Sequence, residues 1–241
     1  IREAGKNGQG STKSGIAQVS ADKYARIGVR IETAVNNPSE LRETIINELN
    51  SQTTIRQQLN LAPINAEQAA NEYINSFATL IPFVCDTVLY LNDTLAQNDE
   101  MKILAEGAQA FLLDIDHGMY PFTTSSSTTS GSVAIGLGVP PFKVRDVLGV
   151  SKAIQSHVGG GVFVTEITDE ELLEKLHGNT ETIDAEKGTT TGRVRRLGHL
   201  DLPGIRRSQM INGTKNMALT KLDWVSRYGE KVKICTHYEI D

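Results

Sequence analysis

Met217-Ala218-Leu219-Thr220-Lys221-Leu222-Asp223 is an apolar run that passes without a spacer into a polar tetrapeptide. Three similar runs occur elsewhere: Ile103-Leu104-Ala105, Val162-Phe163-Val164 and Val232-Lys233-Ile234-Cys235. Each could be a segment of buried helix, but short length and flanking glycine favour buried strands. A helix over about 143–157 separates the runs at 103 and 162, and another over about 203–212 precedes Met217. Strands spaced by helices give an α/β fold with a mostly parallel central sheet flanked by helices. In such sheets ligands sit at the carboxyl ends of the strands. The polar, glycine-containing segments of this chain begin at those ends.

Before the strands lies a helical part. Residues 1–20, rich in Gly, Ser and Lys, read as a loop. Asn37-Pro38-Ser39-Glu40 then opens a helix: Asn caps free amides, Pro fits the first turn, and Glu three residues on completes a capping box. Leu41, Ile45, Ile46 and Leu49 fall on one face of it. A second helix begins near Asn65, with Gln68 three residues on, and its apolar stripe continues to about residue 96 with a bend at Pro82.

The 241 residues carry 24 Lys+Arg against 29 Asp+Glu, a net charge of -5, which argues against a general nucleic-acid binder resting on many phosphate contacts. An apolar share of 39% is ample for a core and excludes a disordered chain. No stretch approaches the roughly 20 apolar residues of a membrane span, and the start, Ile1-Arg2-Glu3-Ala4-Gly5-Lys6, lacks the apolar core of a signal peptide. Cys85 and Cys235 are too few for a disulfide framework, so a reducing, cytoplasmic setting is expected.

Four segments hold more glycine and polar residues than a fold alone requires. Gly10-Ser11-Thr12-Lys13-Ser14-Gly15 resembles a phosphate loop but fails the Walker A template at Thr12 and Asn7. Its hydroxyls and amides could still cradle a phosphate, or form a plain loop. Glu106-Gly107-Ala108-Gln109 leads into Leu113-Asp114-Ile115-Asp116-His117-Gly118. Asp-x-Asp-His has suitable metal ligands, but without a third spaced ligand it reads better as a turn whose acids bond to backbone amides. Gly188 to Arg196 places three arginines within four residues after a Gly-Thr loop, a strong anion site in an acidic chain. In Thr220-Lys221-Leu222-Asp223 the strand-end carboxylate could accept two hydrogen bonds from guanine N1 and N2, for which adenine has no matching donor pair.

In this order and spacing the four segments resemble the adenylosuccinate synthetase family over essentially the whole chain. The most specific stretches are Glu106 to Gln109 through Leu112-Leu113-Asp114-Ile115-Asp116-His117-Gly118 to Tyr120-Pro121-Phe122 and Thr124-Ser125-Ser126. Equally specific are Thr190-Thr191-Gly192-Arg193 with Arg195-Arg196, and Leu219-Thr220-Lys221-Leu222-Asp223. The resemblance implies a Mg²⁺-dependent ligase that joins IMP to L-aspartate, giving adenylosuccinate, GDP and phosphate from GTP. It also implies a homodimer. In the family GTP phosphorylates the IMP 6-oxygen, and the aspartate amine displaces that phosphate.

Carried over by position, Thr12, Arg26, Gln109, Thr124 and Arg193 are expected to bind IMP, Arg26 from the neighbouring subunit. The loop Thr189, Thr190, Thr191, Gly192, Arg193, Val194 and Arg195 is expected to hold aspartate. Arg195, Lys221, Leu222 and Asp223 are expected to bind GTP, Lys221 by packing its stem along guanine. The resemblance places the catalytic aspartate and histidine, the glycine-rich phosphate loop and the Mg²⁺ ligands before residue 1, and a guanine-pocket segment after Asp241. Residues 1–241 are therefore expected to be the central part of a single domain, inactive alone, with no catalytic or metal residue of their own. The chain departs from the family's usual residues at Gln18, Ala110, His157, Val162, Val164 and Val194. A viral relative acting on deoxyguanylate is the alternative enzyme, disfavoured by Thr220-Lys221-Leu222-Asp223; a nucleotide-binding protein without catalysis is the alternative of another class.

Overall fold

Several helix starts in this chain are written in side chains that accept a backbone amide. The computed structural model describes residue 12 and residues 14–98, 100–178, 185–188 and 192–239. It opens with α1 (Ile16–Ala25) and α2 (Ile31–Asn36). In α3 (Pro38–Ser51) Asn37 Oδ1 accepts the Glu40 backbone amide at 3.4 Å, and the Asn37 side-chain NH₂ donates to the Glu40 carboxylate at 2.7 Å. Only half of the capping box expected from sequence forms, because the Asn37 backbone amide donates to the Thr33 carbonyl at 2.9 Å and not to Glu40. After α4 (Thr53–Gln58), Asn65 accepts the Gln68 amide at 3.1 Å and starts α5 (Ala66–Ala78).

The helix expected to run with a bend to residue 96 is instead interrupted. A 3-10 turn occupies Ile81–Phe83, and α6 (Thr87–Gln97) begins afresh. Pro82 lacks an amide donor and disfavours helical backbone at Ile81. Asp86 then accepts the amides of Val88 and Leu89, both at 3.0 Å, and caps the new helix. Ala17–Tyr90 forms one compact unit, whose core is Ala34, Leu41 and Phe77 with Ile45, Ile74 and Val84 packed against them.

The second unit takes Leu91 onward. It holds α7 (Gly131–Leu137), β1 (Leu148–Lys152), β2 (Gln155–His157) and α8 (Glu170–His177), then β3 (Arg196–Gly198) and β4 (Leu200–Asp201). There follow α9 (Leu202–Asn212), β5 (Asn216–Thr220) and β6 (Ile234–Cys235). Among the described residues β1 pairs β5 and β4 pairs β6, both parallel, while β2 pairs β3 antiparallel. The core is Ile154, Ile167, Leu176, Leu197 and Trp224. Asp169 caps α8, and Asp201 caps α9 across Pro203 in its first turn, near the start expected from sequence.

Three expectations fail here. No α-helix forms over 143–157: Lys143 ends a 3-10 turn (Pro141–Lys143) and the strands β1 and β2 follow; Val147, Val150 and Ile154 favour extended backbone, and Gly149 sits where a Cβ would strike Met217. Ile103-Leu104-Ala105 is not a strand: it has no ladder partner among the described residues, and Leu104 is 94% exposed. Val162-Phe163-Val164 is irregular too, with Val162 and Val164 exposed; bridging starts only at Glu166, opposite Gly198. An apolar run supplies strand propensity, but the ladder also needs a neighbouring edge with free amides and carbonyls. Of the four runs only Met217-Ala218-Leu219 lies wholly inside a strand, and Val232 to Cys235 contributes just its last two residues.

Candidate functional site

Asp114 organises the segment between Gln109 and Ser130. Its carboxylate is fully buried and accepts the amides of Asp116 (3.0 Å), His117 (2.9 Å) and Thr128 (2.6 Å), and the Ser127 hydroxyl (3.0 Å). Burial pushes its pKa up, but the bonds from Thr128, His117, Asp116 and Ser127 outweigh that and hold it at about 2. Those donors occupy the lone pairs that a metal would need, so Asp114-Ile115-Asp116-His117 is a turn knot, the plainer of its two readings. Gly118 passes so close to the Leu112 and Asp114 carbonyls that no side chain fits there. The knot presents Thr124, half-buried, with its amide on the Leu113 carbonyl at 2.8 Å. At its edge Gln109 is exposed, with φ of 70°.

A second constellation sits at the carboxyl ends of the parallel pair β1 and β5, where Lys152 is opposite Thr220 and Lys221 follows directly. Glu186, its side chain 5% exposed, accepts Lys152 Nζ at 2.8 and 3.0 Å and Arg195 Nη1 at 3.2 Å; Lys221 Nζ lies 3.8 Å away. Lys152 also donates to the Ser156 hydroxyl at 2.8 Å. Burial lowers the Lys152 pKa, partly offset by Glu186. Burial raises that of Glu186, but Lys152 and Arg195 bring it below the usual carboxylate range. Arg195 Nε is buried with no partner among the described residues. Three cations face one carboxylate, a partly buried excess of positive charge that suits an anion.

The loop before Arg195 is shaped by short bonds. The Gly192 amide donates to Gly188 at 2.7 Å, the Gly188 amide donates to Arg193 at 2.8 Å, and Gly192 takes φ of 64°, which favours glycine. Arg193 is exposed, and Val194 bridges Lys187. Thr189, Thr190 and Thr191 lie outside the described residues. Lys221 is also left-handed, with φ of 58°, and its Nζ stands 4.0 Å from the centroid of the Trp224 ring. Leu222 and Asp223 are exposed at the start of the 3-10 segment Leu222–Tyr228.

Thr12 is exposed and accepts the Ser14 hydroxyl at 2.9 Å. Arg26 belongs to the helical unit, exposed just past α1, with φ of 64°. The structure thus joins Arg195 to Lys221 through Glu186, and pins Thr124 to Leu113, beside Asp114. Sequence reading missed Lys152 and Glu186 altogether, because neither carries a motif. It also missed the left-handed backbone: of the four non-glycine residues at positive φ among those described, Arg26, Gln109 and Lys221 are expected ligand contacts, and Asn60 is the fourth.

The fold and these loops define an α/β protein with a cation-rich constellation around Glu186 at the carboxyl ends of parallel strands. The family model of adenylosuccinate synthetase matches residues 1–241. Adenylosuccinate synthetase of Koribacter versatilis is 41% identical over 235 residues, covering 96% of this chain and 51% of that protein. The Pelodictyon phaeoclathratiforme enzyme is 40% identical over 235 residues, with 96% and 52% covered. A solved structure of fully ligated adenylosuccinate synthetase from Plasmodium falciparum superposes with a TM-score of 0.75 at 36% identity, over 90% of this chain and 49% of that one. The chain belongs to the adenylosuccinate synthetase family. It spans about half the length of the curated relatives it matches. Among the described residues no single helix is long and apolar enough to cross a membrane.

Proposed function

We propose that residues 1–241 form the central part of a single adenylosuccinate synthetase domain that binds IMP, L-aspartate and GTP for the synthesis of adenylosuccinate, GDP and phosphate. The 6-oxygen of IMP attacks the γ-phosphorus of GTP, releasing GDP and turning a poor leaving group into a good one. The aspartate amine then attacks C6, and phosphate departs with the former 6-oxygen. Thr12 and Thr124 hold the IMP phosphate, and Gln109, whose amide both donates and accepts, lies against the base. Arg193 takes an aspartate carboxylate and steadies the ribose, within the loop Thr189, Thr190, Thr191, Gly192, Arg193, Val194 and Arg195. Arg195 stands between aspartate and GTP; Lys221, Leu222 and Asp223 hold guanine. Arg26 reaches the IMP phosphate of the partner in a cytoplasmic homodimer. Mg²⁺ is expected at the triphosphate, but among the described residues no group of three His, Cys, Asp or Glu side chains could hold a metal.

The observation that carries this reading is backbone strain. Left-handed backbone costs a non-glycine residue of order 1–3 kcal/mol and clusters at ligand sites, and three of the four described cases are Arg26, Gln109 and Lys221. The test is phosphate release from GTP by the full-length protein. It should require aspartate and IMP together, and deoxyguanylate should not replace IMP. Release with deoxyguanylate but not IMP would favour the viral-type relative; none with either would leave a nucleotide-binding protein.

A further inference from the structure

Glu186 has no expected contact with any substrate, yet it joins two segments that the proposed function assigns to different substrates. We propose that Glu186 is a positioning residue whose carboxylate ties the aspartate loop, through Arg195, to the guanine segment, through Lys221, with Lys152 as the fixed base of the tie. The inference rests on the functional reading above for the meaning of those two segments, but its geometry does not.

Lys152 closes β1 and Lys221 follows β5; because the strands run parallel and in register, their carboxyl ends bring both ammonium groups to one edge. Glu186 meets them there, within 3.0 Å of Lys152, 3.2 Å of Arg195 and 3.8 Å of Lys221. Its main chain is engaged as well: the Arg195 amide donates to the Glu186 carbonyl at 2.8 Å. The carboxylate is nearly sealed from water at 5% exposure, whereas Arg195 and Lys221 keep 28% and 23% of their side chains open. The anion is therefore the hidden hub, and the cations are the groups left able to meet a ligand. Without the carboxylate, three like charges would share the site, and repulsion in a partly desolvated setting would drive Arg195 and Lys221 apart. A single charge so placed sets both positions at once. The bland reading is an ion pair that merely stabilises the fold.

The two readings separate in a readout close to Lys221. Trp224 is the chain's single tryptophan, and Lys221 Nζ stands over its ring. In the full-length protein, 5-fluorotryptophan labelling would follow position 224 by ¹⁹F NMR, assigned with Trp224→Phe, beside steady-state kinetics. Glu186→Gln, equal in shape and lacking the charge, should shift the 224 resonance and raise the KM values for aspartate and GTP together, each on the order of tenfold, with IMP changed far less. Glu186→Asp should return both readouts part of the way. If Glu186→Gln does not fold, Lys152→Met, which leaves Glu186 and Arg195 paired, should move the same resonance and the same two KM values to a smaller degree. Unchanged KM values in the folded fraction overturn the proposal even where the melting temperature drops, and so does a change in only one of the two. If the unsubstituted protein releases no phosphate with aspartate and IMP, the functional reading fails instead. The tie itself is then judged by the 224 resonance, which must move in Glu186→Gln and return in Glu186→Asp.

Discussion

Replacing Asp114 by asparagine should cost about 2–4 kcal/mol of stability at neutral pH, partly because one carboxylate oxygen becomes a donor among donors and partly because the charge is lost. Oδ2 of Asp114 accepts the Thr128 amide at 2.6 Å and the Ser127 hydroxyl at 3.0 Å, in a site closed to water. The substituted side chain could keep the Asp116 and His117 amides on its carbonyl, but its NH₂ would then face Thr128. The charge contribution can be worked separately. The pKa falls from 3.8 to about 2, and one unit corresponds to about 1.4 kcal/mol, so ionised Asp114 adds about 2 kcal/mol. Because the folded pKa is the lower one, that stability is fully present above the unfolded value of 3.8, declines as pH falls between the two values, and is gone below about 2. Urea titrations followed by circular dichroism, on parent and Asp114→Asn, would measure the gap at several pH values. It should narrow by about 1 kcal/mol between neutral pH and about pH 3. A loss under about 0.5 kcal/mol, or a gap that does not change with pH, would refute the turn-knot account.

Asp223→Asn should weaken GTP and shift preference toward xanthosine triphosphate, whose 2-oxo group accepts where guanine donates; nucleotide-dependent rates that match the parent's for both would make Asp223 an ordinary strand-end acid. Arg193→Leu should raise the KM for aspartate well above any change for GTP, by removing a charge-assisted fork. A loss of stability with unaltered kinetics would remove Arg193 from the substrate loop. Arg26→Leu and Thr124→Ala subunits, each impaired alone, should recover activity when mixed, since one site of each heterodimer then carries neither lesion. Proven exchange without recovery would place Arg26 in its own subunit's site or in none.

What the sequence disclosed was mostly local. Asn37, Asn65 and the Pro203 turn mark helix starts because capping is a contact within three residues, and the structure forms each of them. Strand assignments depended on partners the local pattern does not contain: Leu104 stays exposed, while the stretch around Gly149, read as a helix, becomes β1 because it pairs in register with β5. The motifs themselves were legible as chemistry, but their support was not. Glu186 lies outside any motif and matters only because β1, β5 and the arginine loop converge on it. Asp114 could be read as a ligand or as a turn acid until its four donors were in place.

In the proposed function GTP activates the 6-oxygen of IMP and aspartate displaces it, on loops supplied by this chain. IMP labelled with ¹⁸O at C6 tests this directly when incubated with the full-length protein, GTP and aspartate, and the released phosphate is analysed by mass spectrometry. One ¹⁸O atom is expected in each phosphate released alongside adenylosuccinate. Phosphate released without label, with GTP hydrolysed by water, would contradict it.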